Sequence, residues 1–192
     1  MLDQRASETG EILTFLSDGG GAGALMRSLE WSRSPLGHPS EWPQSLRSVV
    51  ALMLGSKFPM FVAWGPELGF LYNDAYAVIL GAKHPKAMGS RFEEIWREIW
   101  SEVGPLAHRA LQGEATWLED LPLTMNRRGF DEQTWFTFSY SPVRGDDGRL
   151  DGAGHGCSSA DRCGARQTGC GGRSHRCAHR VNPGGACPRS AG

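Results

Sequence analysis

The residues best able to do chemistry crowd into the last fifth of the chain. Cys157, Cys163, Cys170, Cys177 and Cys187 lie there, with His175 and His179 among them. Thiolates and imidazoles together are zinc ligands, so a zinc-binding module built on this tail is one reading. The spacing speaks against it. Five to nine residues separate successive cysteines, whereas structural zinc sites use Cys pairs about two to four residues apart. No metal ligand is assigned, and the thiols read as incidental. Elsewhere, Glu119-Asp120 and Asp146-Asp147 are paired acids. Acid–base catalysis needs carboxylates facing each other across a cleft. Adjacent residues on a strand point to opposite faces, and the second pair belongs to a turn. Gly19-Gly20-Gly21 has the look of a phosphate loop but lacks the Gly-Lys-Ser/Thr ending and a preceding strand. No nucleophile elbow and no kinase motif occurs, so no catalytic residue is assigned and no enzyme activity is read from this chain.

The elements that would have to position such groups divide the chain sharply. All seven Trp, eight Phe and three Tyr precede Asp151. From Gly152 to Gly192 the only large aliphatic residue is Val181. Such a segment cannot bury enough apolar surface to offset the entropy of ordering it. Three regions are expected: a helical or flexible segment over 1–30, a folded domain over 31–150, and a disordered Gly/Arg/Cys-rich tail over 151–192. The net charge of −1 gives no electrostatic reason for nucleic acid. No stretch approaches the ~20 apolar residues of a spanning helix, and the start lacks a secretory signal. A cytoplasmic protein is expected.

Within the folded part, Ala22 to Leu29 reads as a helix. Ser40 is placed as the cap of a second, with Pro43 in its first turn and Leu46, Val49, Val50, Met53 and Leu54 on one face, ended by Gly55. Phe58 to Gly65 and Leu68 to Tyr72 form a hairpin of strands. Asn73-Asp74 caps a helix that stops at Gly81. Phe92 to Trp100 is a helix with Ile95, Trp96 and Ile99 inward, and another has Pro105 near its start. Thr116 to Met125 is a strand with Trp117, Leu121 and Leu123 on one face. Gln133 to Val143 is rich in β-formers, and Asp147-Gly148 turns the chain back. Strands flanking a helical block give an α+β fold with an antiparallel sheet.

The stretch Phe70-Leu71-Tyr72-Asn73-Asp74-Ala75-Tyr76, followed by Leu80-Gly81 and Gly89, resembles the PAS domain. The flanks Trp31-Ser32, Pro35-Leu36-Gly37, Trp42-Pro43-Gln44-Ser45-Leu46-Arg47, Phe58-Pro59-Met60, Ala63-Trp64-Gly65 and Phe136 to Pro142 resemble the PAS input domains at the N-terminus of bacterial sensor and hybrid histidine kinases. The resemblance implies a PAS fold of five antiparallel strands with short helices on one face, the fifth strand central. At that place stands Leu150-Asp151-Gly152-Ala153-Gly154-His155-Gly156-Cys157, a poor strand sequence. The fifth strand is therefore expected to be lost, the chain truncated or frameshifted near residue 151, and the domain marginal in stability. A one-base shift can turn Gly-Ala-Gly-His-Gly into Val-Leu-Val-Met-Val.

The resemblance further implies a non-catalytic sensory module of a two-component phosphorelay. Its partners would be an unknown small-molecule ligand, a second copy in a homodimer, and a kinase output domain in the parent protein. A stand-alone small-ligand-binding PAS protein is the alternative. Ligand-lining candidates come from both layers: Phe61, Ala63 and Tyr72 on the first hairpin; Tyr76, Ile79, Ile95 and Trp96 on the helices; Trp117, Phe136 and Phe138 on the later strands. No cofactor is implied. His108, in the region where some PAS domains carry a haem ligand, has the polar and small neighbours of a surface residue, and the helical block lacks the Cys that flavin photochemistry needs.

Overall fold

The computed structural model describes residues 13–17 and 19–159. The Cys/His cluster from residue 163 onward lies outside them.

Five strands form one antiparallel sheet: β1 (Met60–Trp64), β2 (Gly69–Tyr72), β3 (Thr116–Asn126), β4 (Asp131–Arg144) and β5 (Leu150–Ser159), in the spatial order β2-β1-β5-β4-β3. Between β2 and β3 run α3 (Asp74–Leu80), α4 (Phe92–Ile95) and α5 (Trp100–Leu111). Before β1 come α1 (Gly20–Ser28) and α2 (Gln44–Gly55).

Two apolar layers clasp the sheet. Strand side chains alternate between faces. Phe61, Phe70, Phe136, Phe138 and Tyr140 face α3, α4 and α5, and all are buried. On the opposite face α2 packs against β1 and β2. Val62 and Leu71 are fully enclosed there with Leu46, Val50 and Met53. Trp31 and Trp42 meet edge to face at 5.1 Å, and their indole N–H groups donate to the Met26 (2.9 Å) and Leu36 (3.1 Å) carbonyls. Leu16, Ala22 and Met26 are buried in the same core, so the described part of segment 1–30 packs into the domain.

The expectation for the fifth strand is corrected. β5 is a ten-residue strand between β1 and β4, with Val62↔Gly154, Ala63↔Ala153 and Trp64↔Gly152 on one side and Ser141↔Gly154 and Tyr140↔His155 on the other. Each Gly lowers strand preference by about 0.5–1 kcal/mol. A central strand, however, satisfies its backbone groups on both sides, and here its neighbours fill the space a side chain would take. A Cβ on Gly152 would stand 2.7 Å from the Trp64 ring and 3.0 Å from the Ala63 carbonyl oxygen. With β5 in place, β1 and β4 are paired along their inner edges, which removes the ground for expecting marginal stability. The sheet thereby runs nine residues past the expected domain end at Leu150, to Ser159.

Two helix starts are capped from far away. Ser40 does not cap α2; it lies in a 3-10 turn (Pro39–Glu41). The Asp146 carboxylate instead accepts from the Gln44 (2.9 Å) and Ser45 (2.8 Å) N–H groups. Asp74 does the same for α1, accepting from Gly21 (2.9 Å) and Ala22 (2.6 Å). The expected single helix over 92–100 is broken at Trp96 (φ −114°, ψ 32°). α5 starts at Trp100 and carries Pro105 in its interior.

Candidate functional site

Between the sheet and the helical block lies a small void of about 30 Å³. Strands supply Phe61, Leu123, Met125, Phe136, Phe138 and Tyr140; the helical block supplies Tyr76 and Ile79 from α3, Trp96 and Ile99 from the segment between α4 and α5, and Val103 from α5. Every one of these residues is buried.

Six of the ten expected lining residues meet there: Phe61, Tyr76, Ile79, Trp96, Phe136 and Phe138. Ala63 is buried in β1 but does not reach the void. Ile95 packs on the core margin, and its carbonyl accepts from Lys83. Tyr72 is buried but points its hydroxyl the other way, to His84 Nδ1 at 2.8 Å. Burial pushes the Tyr72 hydroxyl pKa well above its ordinary value.

Trp117 is the clear correction: it is 61% exposed, on the far side of the sheet. The cause is a β-bulge. Leu118 pairs with Phe138, yet Leu121 pairs with Phe136, so Glu119 and Asp120 stand opposite Thr137 alone. Asp120 takes a left-handed conformation (φ 49°) and donates its N–H to Thr137 Oγ1 at 3.2 Å. One extra residue reverses which side chains face inward. Before the bulge Thr116 and Leu118 point in; after it Leu121, Leu123 and Met125 do. Strict alternation carried back from Leu121 and Leu123 therefore assigns Trp117 to the wrong face.

Five lining residues escaped the sequence reading: Ile99, Val103, Leu123, Met125 and Tyr140. Tyr140 continues the alternation of Phe136 and Phe138, and Leu123 and Met125 continue that of Leu121. Ile99 stands at the N-cap of α5 and Val103 one turn into it.

The wall of the void is clamped from outside. Lys83 Nζ lies 4.4 Å from the centroid of the Trp96 ring. The same ammonium bonds to the Ile95 carbonyl and pairs with Glu98. Glu98 also accepts the Asn126 N–H at 3.3 Å. The broken helical stretch over 92–99 is thus tied to the end of β3.

Asn73 is the polar hub beside the site. Its Oδ1 accepts from the Tyr76 N–H (3.0 Å), capping α3, and from the Met60 N–H (3.1 Å). Its Nδ2 faces the carbonyls of Met53 (3.1 Å), Ser56 (3.1 Å) and Phe58 (2.7 Å). One side chain therefore joins the end of α2, the start of β1 and the start of α3. A second fixed point is Gly81, where a Cβ would stand 2.5 Å from the Arg127 carbonyl oxygen. That oxygen accepts the Ala82 N–H at 2.8 Å, and Arg127 itself is buried against Glu132 (3.0 Å).

The paired acids are occupied structurally. Asp146 caps α2, and the Ser45 backbone N–H is the first of the donors that hold its carboxyl below the usual range. Glu119 and Asp120 form the bulge. His108 is exposed and holds the Gly104 carbonyl through Nδ1 (2.8 Å). Among the described residues, no group of three or more His, Cys, Asp or Glu could hold a metal. Of the cysteines in the zinc reading, Cys157 lies in β5 opposite Phe138; the other cysteines and the two histidines lie outside the described residues. Nor, among them, is any helix long and apolar enough to cross a membrane.

A five-stranded antiparallel sheet in the order β2-β1-β5-β4-β3, with the helical block inserted between β2 and β3 and packed on one face, is the PAS fold. No family model matches the chain, and no curated protein matches it. Solved structures do. An RNA-binding light-oxygen-voltage receptor is 17% identical, with 62% of this chain and 34% of that one covered, at a TM-score of 0.46. The PAS domain of Bordetella pertussis BvgS is 20% identical over 60% of this chain and 85% of that one, at 0.41. A sensory box sensor histidine kinase of Vibrio cholerae is 11% identical over 60% and 89%, at 0.40. The chain spans about a third of the receptor's length.

Proposed function

We propose that the chain is a non-catalytic PAS-type sensory module, the input end of a histidine-kinase-like two-component protein, that responds to a small molecule in the void between sheet and helices. One observation carries this reading: the void's walls come from both layers, and its helical wall is tied to the end of β3 through Lys83, Glu98 and Asn126. A molecule filling the void would brace Trp96 and Ile99 against that tie. Its occupancy would then be felt at the β3–β4 side of the sheet. The kinase assignment rests on the flanking motifs around Trp31, Trp42, Phe58 and Phe136. No described acid pair is arranged for catalysis, because Asp146 is engaged as a cap and Glu119 and Asp120 as a bulge.

The test is a chimera in which this full chain replaces the input domain of a reporter sensor kinase, with small-molecule extracts added. Autophosphorylation that changes with extract, and stops changing in a Trp96→Ala version that still folds, supports the proposal. Autophosphorylation indifferent to every extract sinks it. Sedimentation of the chain alone tests the expected homodimer.

A further inference from the structure

Resting on the pocket reading above, we infer that the void takes a neutral, apolar ligand the size of a dissolved gas molecule. Its volume is about 30 Å³. An apolar cavity that admits benzene measures about 150 Å³. The inner surface is carbon-rich: Ile79, Ile99, Val103, Leu123 and Met125 complete the aromatic wall, and no charged residue or histidine lines it. A buried water needs about two to four polar partners to be retained; the lining residues offer the Tyr76 and Tyr140 hydroxyls and the Trp96 indole N–H, and the other eight carry no oxygen or nitrogen on their side chains.

Nor can the void widen cheaply. The Phe61 ring is wedged among Phe92 (centroids 4.9 Å apart), Phe70 (5.1 Å), Tyr76 (5.3 Å) and Tyr140 (5.6 Å). Phe138 lies tilted against Tyr140, with centroids 5.1 Å apart. Trp96 lies beneath the Lys83 ammonium, which is itself held by Glu98 and the Ile95 carbonyl. Close-packed interiors resist expansion, since each displaced ring loses its partners. A ring-sized ligand would have to break several of these contacts at once. A molecule of ~two or three heavy atoms needs none broken.

The experiment uses the full chain with ¹³C-labelled Ile, Leu, Val and Met methyls under rising oxygen pressure. Oxygen is the probe because its paramagnetism speeds relaxation of nearby nuclei. The methyls of Ile99, Val103, Leu123 and Met125 are expected to relax faster with pressure and then level off. Those of Leu46, Val50 and Met53, buried in the opposite layer, should rise weakly and linearly. Lining methyls that track these controls overturn the inference. Benzene is added as a second arm and is expected to leave the lining methyls unshifted. A benzene shift at those methyls overturns the size class and leaves the ligand-pocket reading standing. Neither oxygen excess nor benzene shift removes both.

Discussion

Asn73 gives the most demanding test of how this fold is held. It is 1% exposed, with two N–H donors on its oxygen and three carbonyls around its nitrogen. An amide NH₂ has two hydrogens. Two full bonds and one shared contact are therefore available on that side, with Phe58 at 2.7 Å the best placed. Four bonds at about 1 kcal/mol each put Asn73→Ala at about 3–5 kcal/mol destabilising, since buried partners left unsatisfied cost more than the mean. Asn73→Asp separates the two halves of the role. It keeps the acceptor for Tyr76 and Met60 but sets a carboxylate against three carbonyl oxygens. Burial and that repulsion raise its folded pKa above the unfolded value of about 3.9. Its stability penalty is then fully present above the folded pKa and shrinks as pH falls toward the unfolded one. Urea unfolding followed by tryptophan fluorescence between pH 4 and 8 measures both variants. If Asn73→Ala loses under ~1 kcal/mol, or if Asn73→Asp shows the same deficit relative to wild type at every pH, Asn73 is not the hub described.

Other substitutions probe the remaining joints. Asp146→Asn should weaken the start of α2. The wild-type carboxyl is depressed, so its contribution is present above the unfolded pKa and lost as pH falls through the folded one. The variant should therefore show a shallower acid limb in thermal melts, and an unchanged limb would refute the cap's role. Gly152→Val should cost about 1–3 kcal/mol, because Trp64 must move. Gly154→Ala meets Val143 Cγ2 at 3.1 Å and the Ser141 carbonyl oxygen at an ordinary 4.0 Å and should change stability by under ~1 kcal/mol; equal effects at the two sites in calorimetry would contradict the packing of β5. Trp117→Ser should stay within about 0.5 kcal/mol, whereas Met125→Ala should lose about 2–5 kcal/mol. The reverse order by chemical denaturation would mean that the bulge at Glu119-Asp120 is misplaced.

Much of this architecture is legible in the residues. The aromatic alternation of Phe136 and Phe138, the cap at Asn73 and the turn at Asp147-Gly148 are local signals, and local signals fix elements. What stays hidden depends on neighbours distant in sequence. β5 carries almost no strand preference of its own and is specified by the two strands it joins. The bulge that turns Trp117 outward shows only in the pairing with Thr137. The remote caps at Asp74 and Asp146 look like ordinary acids at turns. For the site, six of the expected positions border the void, whereas the Tyr72 hydroxyl turns to His84 at the surface, a partner that sequence alone does not reveal.

The remote caps also constrain the order in which the molecule can assemble. Asp146 lies 102 residues beyond Gln44, and Asp74 lies 53 beyond Gly21. α1 and α2 are nine and twelve residues long, at or below the length at which an isolated helix persists in water. During synthesis both must therefore wait, unfinished, until the chain that caps them has been made. Contacts of such span slow folding. Of these elements, the two that precede their caps in the chain are thus completed only after those caps exist.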